Sequence, residues 1–282
     1  MHRILAIIGI GSLALSASAA SFMNVANGVW STGLSNSAVI LGSGAVDPHY
    51  TLIQLPAGCA GNLSCSEDGT LGNPFGPGTY VVMGPNGTYP LNGTAWAIAN
   101  DANSQWLGPR ANQNSPFVGG TTWPNVEIFA HNTDFYVYRM VFNLTLLGLS
   151  PTNASINLSW LSDNNNGSPN TNASHIRLCS ISSASDTTPC GAGSAITNSG
   201  NAGQGSATMT NVIITNGVNN ASFVAGYLAL DFIVYNEVLA AGFNPSGFRV
   251  RINSADSDVP EPATLALIAA GLIGIGLLRR KY

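Results

Sequence analysis

The sequence predicts an all-β fold, an antiparallel β-sandwich or jelly roll, flanked by an N-terminal signal peptide and a C-terminal transmembrane helix. Apolar residues recur at every second position through the second half of the chain, and Gly, Asn, Pro and Ser clusters separate these runs. The longest unbroken apolar stretches lie at the two ends. No extended 3.6-residue pattern appears between them.

Residues 1–20 begin with a basic pair, His2 and Arg3, continue through an apolar run from Ile4 to Leu15, and end in Ala17-Ser18-Ala19. Small residues in that spacing form an A-x-A cleavage site, which predicts a signal peptide cut near Ala19 or Ala20. The body, 21–252, reads as one β domain. Its first half contains short strand-like pieces, "AVIL", "YTLIQL" and "TYVVM", interrupted by Pro48, Pro56, Pro74, Pro77, Pro85 and Pro90. Proline removes a ladder donor, so this half is expected to supply irregular edge strands and long loops.

The second half is more regular. In "FYVYRMVFNLTLLGL" (Phe135–Leu149), Tyr136, Tyr138, Met140, Phe142 and Leu144 share one face, while Arg139 and Asn143 take the other. In "SINLSWL" (Ser155–Leu161), Ile156, Leu158 and Trp160 do the same. "HIRLCSI", "NVIIT" and "YLALDFIVYNE" follow, then "FRVRIN", which points Phe248, Val250 and Ile252 inward and Arg249 and Arg251 outward. Polar stretches Asp163–Asn172 and Gly191–Thr208 join them as loops. Residues 253–258 read as a linker.

The final segment, 259–282, holds an apolar run from Ala263 to Leu278. As a helix it spans about 24 Å, short of the ~30 Å hydrocarbon core. Arg279, Arg280 and Lys281 follow at once, and such a cluster stays on the cytoplasmic side, leaving the body outside the cytoplasm. Ala266, Ala270 and Gly274 form a small-residue stripe along this helix.

Charge narrows the function. The only lysine is Lys281, and between the ends the acids outnumber Arg110, Arg139, Arg177, Arg249 and Arg251. Nucleic acid needs a basic footprint, so it is excluded as a partner. The 45% hydrophobic content argues for a packed core over disorder. The cysteines fall as two local pairs, Cys59 with Cys65 and Cys179 with Cys190. In an exported chain this grouping suggests disulfides within each pair, although four cysteines allow three connectivities and spacing does not choose. No histidine stands at ligand spacing from them, so no metal and no cofactor are expected.

Motifs for catalysis are missing from the sequence: there is no G-x-S-x-G, H-E-x-x-H, G-x-G-x-x-G or Walker segment. Asp47-Pro48-His49-Tyr50 reads as a turn with His49 packed on Tyr50. "DNNNGSPNTN" (Asp163–Asn172) has one acid, too few for an EF-hand loop. Asp101, Glu127, Asp134 and Asp231 could supply the two members of a glycosidase pair. Binding is the favoured chemistry. Trp106 in "SQWLGP" and Trp123 in "TTWPN" lie in polar loop sequence, where an aromatic face can stack on a sugar ring. Asn100, Asp101 and Gln105 stand beside Trp106 with hydrogen-bonding groups for sugar hydroxyls.

Val259-Pro260-Glu261-Pro262, an apolar segment, and Arg279-Arg280-Lys281 at the end resemble the PEP-CTERM sorting signal of Gram-negative bacteria. That resemblance implies an inner-membrane precursor processed by an exosortase and passed to the cell surface or matrix, commonly in bacteria that make extracellular polysaccharide. "GAVDPHYTL", "NDANSQWLGP", "FYVYRMVFNLT" and "NPSGFRVRI" are similar to exported galactose-binding-like β-sandwich domains found ahead of such signals. The expectation is a non-enzymatic surface protein, structural or adhesive, with polysaccharide as ligand. Its rival is a surface polysaccharide hydrolase.

Overall fold

In the computed structural model, residues 19–55, 79–82, 86, 91, 93, 96–109, 135–163, 174–200, 203, 206–235 and 246–259 are described. They form ten strands: β1 (Ala19–Ser21), β2 (Tyr50–Gln54), β3 (Tyr80–Val81), β4 (Leu107–Gly108), β5 (Phe135–Asn143), β6 (Ser155–Ser162), β7 (His175–Ile181), β8 (Thr210–Thr215), β9 (Tyr227–Tyr235) and β10 (Phe248–Asp258). A single 3₁₀ turn, Ala192–Ser194, is the one helical element among the described residues.

Two antiparallel sheets result. The first has the order β3-β4-β10-β6-β8, with β1 added to β10; the second has the order β2-β5-β9-β7. From β5 onward, successive strands fall in opposite sheets, so the chain alternates between the two.

The alternation read from the sequence is the alternation observed. Tyr136, Tyr138, Met140 and Phe142 of β5, Ile156, Leu158 and Trp160 of β6, and Phe248, Val250 and Ile252 of β10 are buried in one continuous core between the sheets. Aromatic rings bridge them: Tyr138 stacks on Phe248 at 4.3 Å, and Trp160 meets Phe232 of β9 edge-on at 5.8 Å. Offset and edge-on pairs of this kind add to the burial itself, which is worth ~1.5–3 kcal/mol for a large apolar side chain.

One boundary differs from expectation. Residues 253–258, which read as a linker, are the second half of β10, paired with β6 as far as Asp256↔Ser155. The register shifts between Ile252 and Ser254. That bulge resets the alternation, so Ala255 and Ser257 face inward although Asp256 and Ser254 give the segment a linker-like composition. Beside it, Ala19 lies opposite Asp258 and Ser21 opposite Asp256, so the expected signal-peptide cut near Ala19 or Ala20 falls within β1.

The outer face of the second sheet carries a row with two buried charges, Arg139 and Asp231. Thr51, Arg139, Asp231 and Arg177 stand in register across β2, β5, β9 and β7. Arg139 is 2% exposed and holds Asp231 with both prongs of its guanidinium, Nε to Oδ1 at 2.7 Å and Nη2 to Oδ2 at 2.8 Å. Its remaining donors reach the carbonyls of Asp186 and Thr188, and the N–H of Cys190 donates to Asp231 Oδ2. Four of the five guanidinium N–H groups and both carboxylate oxygens are thus hydrogen-bonded, which helps a buried ion pair offset its desolvation. The pair draws the 182–190 loop over the sheet.

The Cys179–Cys190 disulfide closes this loop, with Cα atoms 5.7 Å apart. Cys59 and Cys65 lie outside the described residues. Replacing both Cys179 and Cys190 by serine removes a constraint on the unfolded chain worth about 3 kcal/mol for a loop of this length. The denaturant midpoint of the double variant is expected to fall accordingly, and an unchanged midpoint would show that the Arg139 clamp alone holds the loop.

Candidate functional site

The sequence-predicted cluster around Trp106 does assemble, but its groups are turned inward. Trp106 is 0% exposed and stacks on Trp96 at 4.2 Å, with Val82, Leu91 and Leu161 completing a second small core on the outer side of the first sheet. The Trp106 indole N–H donates to the Ile98 carbonyl at 2.7 Å, and its main-chain N–H donates to Asn100 Oδ1 at 2.7 Å. The face expected to stack on a sugar is therefore covered by another indole. Polar neighbours in sequence gave Trp106 the look of a surface residue, yet those neighbours satisfy its own loop.

Asp101 and Gln105 are engaged likewise. Asp101 Oδ1 accepts from the N–H groups of Asn103 and Ser104, and Oδ2 is ion-paired with Arg249, at 2.5 Å, and with Arg251. Burial raises the Asp101 pKa, but these two N–H bonds and the Arg249 charge outweigh it and leave the carboxyl below the usual range. Arg249 is wholly buried and also donates to Ser104 Oγ and the Ala99 carbonyl, so the loop is fastened to β10. Gln105 Nε2 donates to the Leu41 carbonyl at 3.1 Å. Gly33 sits against it with φ +76°; a β-carbon there would come within 2.6 Å of Gln105 Cβ. Trp123 lies outside the described residues.

The Asp47–His49 turn is also internal. Asp47 is buried and accepts from the N–H groups of Gly33 and His49 at 2.6 and 2.8 Å, while the His49 ring stacks on Trp30 at 3.9 Å. Trp30, not the expected Tyr50, is the ring that His49 packs on; the Tyr50 hydroxyl instead donates to the Trp30 carbonyl. Of the four acids considered for a hydrolytic pair, Asp101 and Asp231 lie on the outer sides of different sheets, each bound to arginine. Glu127 and Asp134 lie outside the described residues. Among the described residues no group of three or more His, Cys, Asp or Glu could hold a metal ion.

A second surface, on the outer face of the first sheet, is more open. The outward positions of β6, β8 and β10 are Asn157 and Ser159, Asn211 and Ile213, and Arg251 and Asn253. Asn253 Nδ2 reaches Asn157 Oδ1 at 3.1 Å, Ser159 Oγ at 2.9 Å and Asn211 Oδ1 at 3.2 Å. One row further on, the Ser155 and Thr215 hydroxyls meet at 3.1 Å. The result is a flat lattice of amides and hydroxyls, repeating at strand spacing and flanked by the Arg251–Asp101 pair. Asn253 spends its donors within the lattice, while Asn157 and Asn211, whose Oδ1 atoms accept there, keep their Nδ2 donors for other partners. The sequence carries the signal for this surface, because Asn, Ser and Thr recur at the positions alternate to the apolar ones.

At one end of this sheet, β10 runs into the tail. Val259 is 37% exposed. Residues 258–281 match the PEP-CTERM protein-sorting motif. The motif marks an exported protein sorted to the bacterial cell surface, and it implies processing by an exosortase-type protease. Pro260, Glu261, Pro262, Arg279, Arg280 and Lys281, and the expected span 263–278, lie within the match and outside the described residues. Among the described residues no helix is long and apolar enough to cross a membrane. No curated protein matches the chain.

A buried acid beneath the Trp96–Trp106 core gives a measurable consequence. Asp163 is 2% exposed and accepts from the Trp96 indole N–H at 2.6 Å; burial lifts its carboxyl to about 8 even though that bond opposes the rise. In the unfolded chain the same group titrates near 4. The folded form therefore holds the extra proton, and the associated stability is complete below about pH 4 and lost as pH rises towards 8. Denaturation midpoints measured between pH 5 and 8 are expected to decline for the natural chain and to flatten in Asp163→Asn. Parallel slopes for the two proteins would remove Asp163 as the cause.

Proposed function

We propose that the body is a non-enzymatic jelly roll with a structural or adhesive role, carried to the cell surface by its tail and holding extracellular polysaccharide on the outer face of the first sheet. The observation that carries this reading is the Asn157–Ser159–Asn211–Asn253 lattice. Sugar hydroxyls are at once donors and acceptors, and an array of neutral amides and hydroxyls exchanges water for them without desolvating charge. Arg251 adds a charged donor at the border, suited to an acidic sugar. The crossing of successive strands between the sheets supports the jelly-roll reading, and the separation of Asp101 from Asp231 favours binding over hydrolysis.

The test is retention on polysaccharide isolated from the host's surface. An Asn157→Ala, Asn253→Ala double variant is expected to bind roughly tenfold more weakly, the worth of about one or two hydrogen bonds. Thr51→Ala, on the outer face of the opposite sheet, should bind normally. Equal retention of all three would remove the lattice as the site, and loss on Trp123→Ala alone would move it to that tryptophan.

Processing is tested on the tail. Protein recovered from the surface fraction is expected to have a mass lacking the residues beyond about Pro262, and Glu261→Ala with Pro262→Ala should leave an uncut chain in the membrane fraction. An intact tail on surface-exposed protein would show that sorting proceeds without cleavage.

A further inference from the structure

Among the described residues strand β8 is the last strand of the first sheet, bonded to β6 on one side only. Which of its main-chain groups face outward follows from the ladder. Asn216 N–H donates to the Ala154 carbonyl, so in the antiparallel alternation Ile214 and Val212 bond to β6, while Asn211 and Ile213 turn their N–H and C=O groups to the open edge. Among the described residues those groups have no main-chain partner. The corresponding edge of the second sheet is closed: Ile196 N–H donates to the Ile176 carbonyl and Ala195 bridges Arg177 of β7.

Exposed edges are ordinarily protected by lysine, proline, a bulge or an inward charge. β8 has none of these: its sequence is TNVIIT, its pairing with β6 is unbroken, and Ile213 is 52% exposed. The surroundings are equally bare. From Thr187 to Leu230 there is no Asp, Glu, Lys, Arg or His, in a chain whose formal net charge is −4.

We propose that β8 pairs antiparallel with β8 of a second copy of this chain, joining two first sheets into one. The charge-free stretch decides the occupant: two acidic molecules repel over most of their surfaces, and this edge is where they approach without opposing charge. A two-fold axis through Val212 sets Asn211 opposite Ile213 of the other copy, each such pair exchanging both main-chain bonds. The polar lattice then continues across the seam. This inference does not depend on the ligand reading, because it concerns main-chain pairing.

The full chain in mild detergent is expected to sediment as a dimer. Ile213→Lys places like charges at the seam, and Asn211→Pro removes an edge donor while leaving the β6 ladder untouched. Either change should raise the dimer dissociation constant roughly tenfold or more, with unfolding midpoints near that of the natural chain as the check on folding. Leu146→Lys, at another exposed apolar position, should have no effect. A monomer at all concentrations would overturn the proposal. So would a dimer indifferent to both edge changes but lost on Gly274→Leu, which would place the contact in the small-residue stripe of the tail.

Discussion

The pairing of β10 with β6 is the constraint to which the other parts of the molecule are attached. Inward, β10 supplies Phe248, Val250 and Ile252 to the core. Along its other edge it bonds β4 near Phe248 and β1 near Asp258, and the Val250 main chain exchanges hydrogen bonds with Thr32. Outward it carries Arg249, which fastens the 99–104 loop, and Asn253, which knits the amide lattice. Its last residue is also the first of the sorting motif. A shift of one residue in this register would exchange the two faces, placing arginines in the core and phenylalanine in the lattice. The Ile252–Ser254 bulge is compatible with this because it occurs where the inward positions change from large to small residues.

How much of this was legible depended on distance along the chain. The strands and their inward residues follow from a period of two, a property of the local backbone, so Tyr136–Phe142, Ile156–Trp160 and Phe248–Ile252 could be assigned from sequence. What covers an outward residue is not local. Alternation places Arg249 outward, yet it is buried because a loop from well over a hundred residues earlier folds across it. Trp106 gives the reverse impression: Trp96, from the same 96–109 stretch, covers its ring, and Leu161 joins them from a distant strand. The Cys179–Cys190 bridge was readable in part, since its ends are close in sequence, but spacing alone could not choose it over other pairings.

Scarcity of charge gives each ion pair a definite place. Arg139 with Asp231 and Arg249 with Asp101 each draw a loop onto the outside of a sheet, one per sheet. Between the sheets themselves the contact is the apolar, aromatic-rich core. These pairs convert what would be bare sheet faces into one covered face and one partly open face. The open part is where amides and hydroxyls take over from charge, and its solubility depends on their hydration.

Ala19 and Asp258 lie side by side, because β1 runs antiparallel to the end of β10. A pull between the two ends would unzip β1 from β10 one residue pair at a time, a contact only three pairs long. A pull between the tail and the amide lattice is a different mechanical problem. It runs along β10 parallel to its own length, so the bonds to β6 from Asp256 to Phe248 are loaded together in shear. The tail is thus joined to the body in the direction in which a sheet resists tension best, and the N-terminal strand can peel away without disturbing that load path.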